Sequence, residues 1–232
     1  DDHVAGEYDE RRNYHASVED LRDAARRFAL ASERLVYCHD WPGLPELVAG
    51  HPAARSYGVD AGADYRIDDV RLAAAGSTFT LTGPGLTSCA VTLAVPGKHN
   101  VLNAAAAVAA VHAAGLDPRP ALPALAAFHG VGRRWQSYGE LNGALVIDDY
   151  AHHPTEVAAT LQAARATGRR VRAVLQPHRW VRTARQWPAL AAAAALADEV
   201  LVLAVYGAGE RPIAGVAPEL IAARIRSLAG SA

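Results

Sequence analysis

The chain has 232 residues, of which 51% are hydrophobic and 20% are charged, so it has enough apolar side chains for packed cores and is not a disordered chain. Its formal net charge of -1 argues against a general nucleic-acid coat and against a polybasic membrane anchor. Apolar runs stay well short of the roughly 18 residues that a membrane-spanning helix needs, and the two cysteines, Cys38 and Cys89, favour a protein of the reducing cytoplasm.

The first half of the chain carries the patterns of a helix, a strand, a β-meander and a further helix. Residues 17–31 predict a helix, because Ser17 can cap its first turn and apolar side chains recur at helical spacing. A short strand follows at residues 35–38, and turn signals separate three β-like runs at residues 65–72, 78–82 and 90–95. An alanine-rich helix is predicted over residues 100–114, with another helix after Pro118.

The second half changes to short, continuously apolar strands that alternate with helices. Strands are predicted at residues 145–147, 171–175 and 200–205, and helices at residues 155–165, 189–197 and 218–228. Alternation at this spacing is typical of a parallel α/β sheet. Residues 1–116 carry 15 acidic and 10 basic side chains, whereas residues 117–232 carry 9 and 13. We therefore expect two α/β domains, residues 1–127 and residues 128–232, of which the second handles anions.

An acidic and histidine-rich segment follows the first strand of the second half. It runs Asp148-Asp149-Tyr150-Ala151-His152-His153-Pro154-Thr155-Glu156, and α/β sheets bind ligands at the carboxyl ends of their strands. Pro154 suits the first turn of a helix, whose free N–H groups favour anions. One carboxylate can accept hydrogen bonds from ribose hydroxyls, while a histidine meets a carboxylate or phosphate. The alternative is structural, with Asp148 or Asp149 as a cap and the histidines solvated. Adjacent histidines do not face one another on a helix, so the pair does not favour a metal site.

Two arginines follow the next strand, in the segment Gln176-Pro177-His178-Arg179-Trp180-Val181-Arg182-Thr183. Arg179 and Arg182 are three residues apart, so that on a helical turn both face the same side and form a clamp for a carboxylate or a phosphate. Arg133 and Arg134, which follow a Gly-Val-Gly turn, form a third cationic element. The alternative for all four arginines is a solvated basic face.

A last polar segment, Pro96-Gly97-Lys98-His99-Asn100-Val101-Leu102-Asn103, marks the start of the alanine-rich helix. Asn100 and Asn103 are one turn apart, and asparagine amides can hydrogen-bond to an amide-like base such as adenine, although asparagine is also an ordinary helix cap. The sequence contains no phosphate-binding loop of the form G-x-x-x-x-G-K-S/T, because its one lysine, Lys98, is followed by histidine. Neither cysteine has a second cysteine at metal-ligand spacing.

Taken in order, these segments resemble the Mur ligase family. The resemblance extends over residues 97–103, 128–134, 148–156, 176–183 and 206–215, almost the whole chain, and its Asp-Asp-Tyr-x-His-His-Pro-Thr-Glu run is highly specific. It implies a ligase that uses ATP and Mg²⁺ to join L-alanine to the lactyl carboxylate of UDP-N-acetylmuramate through an acyl phosphate, in peptidoglycan precursor synthesis. The chain is similar to the rear part of the family's central ATPase α/β domain, followed by a Rossmann-like parallel-sheet C-terminal domain.

The resemblance also implies roles for individual residues. Asn100 and Asn103 contact adenine, Arg134 reaches the ATP phosphates, and Asp149 holds the ribose across the domain interface. His3 is implied as a metal ligand, in a segment where the family often has a further Asp. His152, Arg179 and Arg182 are implied as catalytic residues. Together with Tyr150 and His178 they line the amino-acid and acyl-phosphate site.

The family's phosphate loop and UDP-sugar domain would lie before Asp1 and its last strands beyond Ala232, so we expect a fragment without ligase activity of its own. We expect the three strand–helix units from Leu145 onward to bury a core of their own. We expect the N-terminal part of the chain to lack the strands against which its helices would pack. Two alternatives stay open. One is a ligase that attaches a tripeptide to the same UDP-sugar acid, in which the counterpart of Gln176-Pro177-His178-Arg179 typically reads Glu-Pro-Arg-Ser. The other is a non-catalytic nucleotide- or anion-binding module.

Overall fold

A computed structural model describes residues 15–230 of the chain and, for the backbone alone, residues 7–8 and 11–12. The chain divides into two compact units, one formed by residues 17–129 and the other by residues 130–232 together with residues 1–16. A short antiparallel hairpin of β1 (Glu7–Tyr8) and β2 (Arg11–Arg12) belongs to the second unit. The assignment of residues 1–127 and 128–232 to two family domains stays a prediction.

In the unit of residues 17–129, helices pack around a five-stranded sheet. Ser17 caps the first helix, because its hydroxyl accepts a hydrogen bond from Asp20 N at 3.1 Å, as the sequence predicts. The predicted strand at residues 35–38 is confirmed. The elements in chain order are α1 (Val18–Leu30), β3 (Leu35–Cys38), α2 (Leu44–Leu47), β4 (Ala54–Gly58), β5 (Tyr65–Ala73), β6 (Gly76–Gly83), β7 (Leu86–Leu93), α3 (Lys98–Ala113), a 3₁₀ turn (Arg119–Ala121) and α4 (Leu122–Ala126).

The sheet of this unit is mixed, and it carries the core. Strands β3, β4 and β5 run parallel, while β5, β6 and β7 form the predicted antiparallel meander. Phe79, Leu81 and Val91 point from the meander into the core, where they are at most 2% exposed and pack with Val101 and Ala105 of α3. The expectation that this part lacks strands for its helices is therefore wrong for α3. The polar, short strand β4 gives no apolar run in the sequence, and for this reason the parallel part of the sheet was not predicted in full.

In the second unit, an antiparallel hairpin precedes an alternation of helices and strands. The hairpin consists of β8 (Gln136–Leu141) and β9 (Ala144–Asp148), joined by Asn142 and Gly143, whose φ angles of 50° and 79° suit a tight two-residue turn. The elements that follow are α5 (Pro154–Arg165), β10 (Arg172–Leu175), α6 (Trp180–Ala194), β11 (Glu199–Val202) and α7 (Pro218–Ala229). Strands β10 and β11 pair in parallel, which confirms the predicted parallel α/β fold.

Helices α5, α6 and α7 share one apolar core with one face of β10 and β11. Leu190 of α6 and Ile221 of α7 belong to this core together with Leu175 of β10, and none of the three is more than 8% exposed. Val174 and Leu201 belong to the opposite face, because successive side chains of a strand point to opposite sides. They are 61% and 56% exposed. This core therefore lies on one side of the β10–β11 pair.

Some boundaries differ from the prediction. Helix α6 begins at Trp180 rather than near residue 189, because Pro188 is accommodated inside the helix instead of starting it. Strand β11 ends at Val202, before a loop that carries Tyr206. Strand β8 was not predicted, although the Asn-Gly turn after it is a hairpin signal. No helix in the described part of the chain is long and apolar enough to span a membrane.

Candidate active site

Aromatic and polar side chains gather where the strands of the second unit end. Tyr150 and His152 follow β9, His178 follows β10, and Tyr206 follows β11. Their rings form a row in which the centroids are 5.0 Å apart for Tyr150 and His152, 5.9 Å for His152 and His178, and 5.4 Å for His178 and Tyr206. Tyr206 N also donates to Pro177 O at 2.8 Å. The structure thus brings the predicted Tyr150, His152 and His178 together.

Asp149 builds the turn that presents Tyr150. Its carboxylate accepts hydrogen bonds from Trp135 N at 2.9 Å and from Ala151 N at 2.8 Å. Tyr150 N donates to Arg133 O, and the guanidinium carbon of Arg133 lies 4.5 Å from the centroid of the Tyr150 ring, within cation–π range. Asp149 therefore has a structural role in a turn, and each of its oxygens keeps a further lone pair for a ligand.

Glu156 fixes the segment that carries His152. One of its carboxylate oxygens accepts from the backbone N–H groups of His152 and His153 at 3.1 and 3.2 Å, and the other accepts from Arg134 Nη1 at 3.3 Å. Burial works to raise the pKa of Glu156, but the two backbone hydrogen bonds, followed by the positive charge of a protonated His152 and that of Arg134, outweigh it and lower that pKa. His153 accepts from Thr155 N as the cap of α5, so it serves the helix and not the row of rings.

Hydrogen bonds assign opposite neutral tautomers to His152 and His178. Nδ1 of His152 lies 2.8 Å from Tyr150 O, which can only accept, so Nδ1 carries the hydrogen and Nε2 keeps a lone pair. Nδ1 of His178 lies 3.2 Å from Arg182 Nη1, which can only donate, so His178 carries its hydrogen on Nε2. Burial, followed by the positive charges of Arg182, of a protonated His152 and of Arg179, lowers the pKa of His178 and favours its neutral form.

The two predicted arginines stand at the start of α6 and make different contacts. Arg179 precedes the helix with a φ of 71°, and its Nε donates to Glu210 at 2.8 Å. Arg182 donates from Nη1 to the ring and to the carbonyl oxygen of His178. Its Nε is buried and has no hydrogen-bond partner among the residues that the structure describes. A buried guanidinium N–H without an acceptor is costly, so the conformation of Arg182 is held by its remaining contacts with His178.

The residues predicted to contact adenine lie in the other unit, in the first turns of α3. Asn100 donates from Nδ2 to Pro96 O at 2.7 Å, which leaves its side-chain oxygen as an acceptor, and Asn103 is exposed. The predicted metal ligand His3 lies outside the described residues. Within those residues, no group of three or more His, Cys, Asp or Glu side chains is placed to hold a metal ion.

Two residues near the row of rings had no predicted role. Tyr206 stacks on His178, and Glu210, whose side chain is 12% exposed, pairs with Arg179. Both come from the loop after β11. The signal that could have found them is their position, because the carboxyl ends of parallel strands meet at one edge of a sheet and the third strand end contributes there too.

Comparisons with known proteins cover most of the chain. Residues 10–111 match the Mur ligase middle domain, and residues 133–232 match the glutamate ligase domain of Mur ligases. A UDP-N-acetylmuramate–L-alanine ligase of Deinococcus radiodurans is 49% identical over 225 residues, which are 97% of this chain and 46% of the relative. The crystal structure of a UDP-N-acetylmuramate–alanine ligase of Thermotoga maritima matches with a TM-score of 0.73 at 30% identity, over 93% of this chain and 46% of that chain. The chain belongs to the Mur ligase family.

Membership in the Mur ligase family confirms the predicted resemblance and the α/β fold. A second relative, the UDP-N-acetylmuramate–L-alanine ligase of Acidothermus cellulolyticus, is 42% identical over 229 residues, 95% of this chain and 48% of the relative. The chain thus spans about half the length of the curated relatives it matches. The matched glutamate ligase domain of Mur ligases includes every residue of the row of rings, as well as Arg179 and Arg182.

Proposed function

We propose that this chain is part of an ATP-dependent ligase that joins L-alanine to the lactyl carboxylate of UDP-N-acetylmuramate, in peptidoglycan precursor synthesis in the cytoplasm. The observation that carries the proposal is the cluster of Tyr150, His152, His178 and Arg182 at the strand ends, in a chain 49% identical to a ligase of that name. In this proposal, residues 1–127 belong to the central ATPase domain and residues 128–232 to the Rossmann-like C-terminal domain. We expect no ligase activity from these residues alone, because they contain no phosphate-loop motif.

The cluster suits the attack of an amine on an acyl phosphate. The lone pair on His152 Nε2 can take a proton from the ammonium group of L-alanine, which frees the amine for attack. The amine nitrogen then bonds to the acyl carbon, the C–O bond to the phosphoryl group breaks with its electron pair going to the departing phosphate, and the second proton of the nitrogen goes to that phosphate. His178 Nε2–H and the guanidinium of Arg182 can stabilise negative charge on the reacting oxygens, because the hydrogen bond between the two side chains holds both in place beforehand.

Arg179 and Tyr150 complete the proposed amino-acid and acyl-phosphate site. Glu210 accepts the hydrogen bond from Arg179 Nε. The edge of the guanidinium formed by its two Nη groups is therefore the edge that can bind a carboxylate or a phosphate. Tyr150 lies between the guanidinium of Arg133 and the ring of His152, and supplies an apolar surface for a small side chain.

For ATP we propose the contacts that the family resemblance implies. The side-chain oxygen of Asn100 and the exposed amide of Asn103 suit the edge of adenine, and the remaining lone pairs of Asp149 suit ribose hydroxyls. Arg134 donates a hydrogen bond to Glu156, and it can donate instead to phosphate oxygens, which are also negatively charged acceptors. We also propose Mg²⁺ with His3 as a ligand. Among the described residues, no three His, Cys, Asp or Glu side chains are placed to hold that ion.

The two alternative functions predict different observations. A ligase that adds a tripeptide to the same UDP-sugar acid typically has serine where this chain has Arg179. The ion pair between Arg179 and Glu210 at 2.8 Å would then be missing, so this pair favours the L-alanine ligase. A non-catalytic module would bind a nucleotide or an anion in the same place and form no amide.

The test is a chimera in which this chain replaces the matching segment of the Deinococcus radiodurans relative. With UDP-N-acetylmuramate, ATP and Mg²⁺, we expect ADP release that depends on L-alanine, and an amide product in the mass spectrum. The tripeptide in place of L-alanine tests the first alternative, and an Arg182→Ala chimera is the control in which the rate of amide formation should fall. A chimera that keeps the thermal transition of its parent but forms no amide would contradict the proposal.

A further inference from the structure

Glu210 is an enclosed acidic side chain that pairs with Arg179 at the start of α6. Its side chain is 12% exposed, although it comes from a loop that lies 31 positions after Arg179 in the sequence. Its oxygens accept two different hydrogen bonds, Oε1 from Arg179 Nε at 2.8 Å and Oε2 from Val181 N at 3.0 Å. One carboxylate therefore joins a guanidinium to the first turn of a helix.

Arg179 is held in an unusual backbone conformation at this point. Its φ of 71° and ψ of 133° lie in a region that side-chain-bearing residues rarely adopt. Arg179 N donates to Tyr206 O at 2.7 Å, and Arg179 O accepts from the N and Oγ1 of the buried Thr183 at 3.0 and 2.8 Å. The main chain of Arg179 is thus held by these hydrogen bonds, and its side chain, which is 49% exposed, is held at Nε by Glu210.

Glu210 also supplies the acceptor that the start of α6 lacks. Arg179 stands at the N-cap position and its side chain makes no capping hydrogen bond, so the first N–H groups need an acceptor from elsewhere. The carboxylate provides it for Val181, at the positive end of the helix dipole. Burial works to raise the pKa of Glu210, but the hydrogen bond from Val181 and the charge of Arg179 lower it, so the carboxylate is ionised at neutral pH.

We propose that Glu210 is a positioning residue of the active site, which aims the guanidinium of Arg179 so that its two Nη groups face the ligand. The inference rests on the proposed ligase function, in which Arg179 binds the carboxylate or the acyl phosphate. Glu210 acts through Arg179 and does not contact the substrate. Its contact with Val181 is a separate contribution to the stability of α6.

The geometric part is tested on the chain itself, through the Nε–Hε resonance of Arg179 in ¹H–¹⁵N spectra. In the wild type we expect a slowly exchanging Hε, because its hydrogen is held on a carboxylate. Glu210→Gln should shift this signal toward those of exposed arginines and speed its exchange. Glu140→Gln is the matched control, because Glu140 pairs with Arg169 Nη2 at 2.7 Å but is 53% exposed. If Glu210→Gln changes neither the chemical shift nor the exchange rate of Arg179 Hε, the proposal is wrong.

The functional part is tested by a double-mutant cycle in the chimera with the Deinococcus radiodurans relative. Glu210→Gln should lower kcat/KM for L-alanine by about 10- to 100-fold, the scale of a misplaced substrate-binding group. In an Arg179→Ala background, the same change should alter kcat/KM by less than about twofold, because Glu210 acts through Arg179. Two losses that simply multiply would contradict the proposal, as would a Glu210→Gln enzyme with a lower Tm and unchanged kcat/KM.

Glu210→Asp keeps the charge on a shorter side chain and covers the outcome in which Glu210→Gln does not fold. We expect the aspartate variant to fold and to show the same dependence on Arg179, with a smaller loss of kcat/KM. A folded aspartate variant with wild-type kcat/KM and an unshifted Arg179 Hε would contradict the proposal. An inactive wild-type chimera would count against the ligase function alone, because the Hε measurement still decides whether Glu210 aims Arg179.

Discussion

His152 and His178 lie with their ring centroids 5.9 Å apart, and different neighbours fix them in opposite neutral tautomers. The carbonyl oxygen of Tyr150 accepts the hydrogen of His152 Nδ1, whereas the guanidinium of Arg182 donates to the lone pair of His178 Nδ1. Two histidines of one site thus have different capacities, since one can accept a proton at Nε2 and the other can donate a hydrogen bond there.

The ¹⁵N spectra of the histidine side chains should show this difference directly. At about pH 8, where histidine is neutral, we expect the hydrogen on Nδ1 of His152 and on Nε2 of His178. Arg182→Ala should release His178 into a mixture of tautomers and leave His152 unchanged. The urea-unfolded chain is the control, because both rings should give the same averaged pattern there. The same tautomer for both histidines in the folded chain would contradict the assignment.

Arg179→Ala and Arg182→Ala, made in the chimera with the Deinococcus radiodurans relative, should each cost about 2–4 kcal/mol of transition-state stabilisation. The reason is that each guanidinium neutralises charge on the carboxylate or the phosphoryl group. Lysine at either position should restore little, because a single ammonium cannot replace the planar fork. Arg224→Ala on the exposed side of α7 is the control. Values of kcat/KM near the wild type in both alanine variants would remove these residues from the mechanism.

The sequence located much of this site because its chemistry follows strand ends. Tyr150 and His152 follow the apolar strand β9, and His178 and the two arginines follow β10, which runs parallel to β11. Glu210 was not found, since its partner Arg179 is 31 residues away and the pairing depends on how the loop after β11 folds back. The tautomers of His152 and His178 could not be predicted from the sequence either, because each depends on a single hydrogen bond.

Asp149→Asn and His152→Ala should separate the two halves of the reaction in the same chimera. Asp149→Asn should mainly raise KM for ATP, because the family resemblance places this carboxylate beside the ribose. His152→Ala should mainly lower the efficiency with L-alanine, because it removes the proton acceptor. Since Asp149 also accepts from Trp135 N, its variant needs a thermal unfolding control. Steady-state kinetics with the reverse pattern would show that the roles of the two residues are wrongly assigned.

The stability of the chain should fall in two steps on acidification. His178 has a lowered pKa in the folded chain, so the unfolded chain binds more protons as pH falls from near the ordinary value of 6.5, and stability declines. Glu156 and Glu210, with pKa values lowered from 4.5, contribute stability above that pH and lose it as pH falls through their folded values. Urea unfolding over a pH series should show a flatter acid step in Glu210→Gln than in Glu140→Gln. Equal slopes would contradict the role of the Glu210 contacts.

Residues 17–129 should fold by themselves, because their sheet and α3 enclose a complete core. In this segment, Leu81→Ala should lower the free energy of unfolding by about 2–5 kcal/mol, the usual cost of a cavity at a fully buried leucine. Phe28→Ala, at a side chain 81% exposed, should change it by less than about 0.5 kcal/mol. A segment without a cooperative urea transition would disprove the independence of this unit.

The central claim is that the strand-end cluster of this chain serves an L-alanine ligase, and kcat/KM for L-alanine in the chimera tests it most directly. Measured beside the Deinococcus radiodurans parent, the chimera should reach a value within about tenfold, which corresponds to about 1.4 kcal/mol. Normal KM values for ATP and UDP-N-acetylmuramate show that the remaining sites are intact. With those intact, a value for L-alanine more than about a thousandfold below the parent, or about 4 kcal/mol, would contradict the claim.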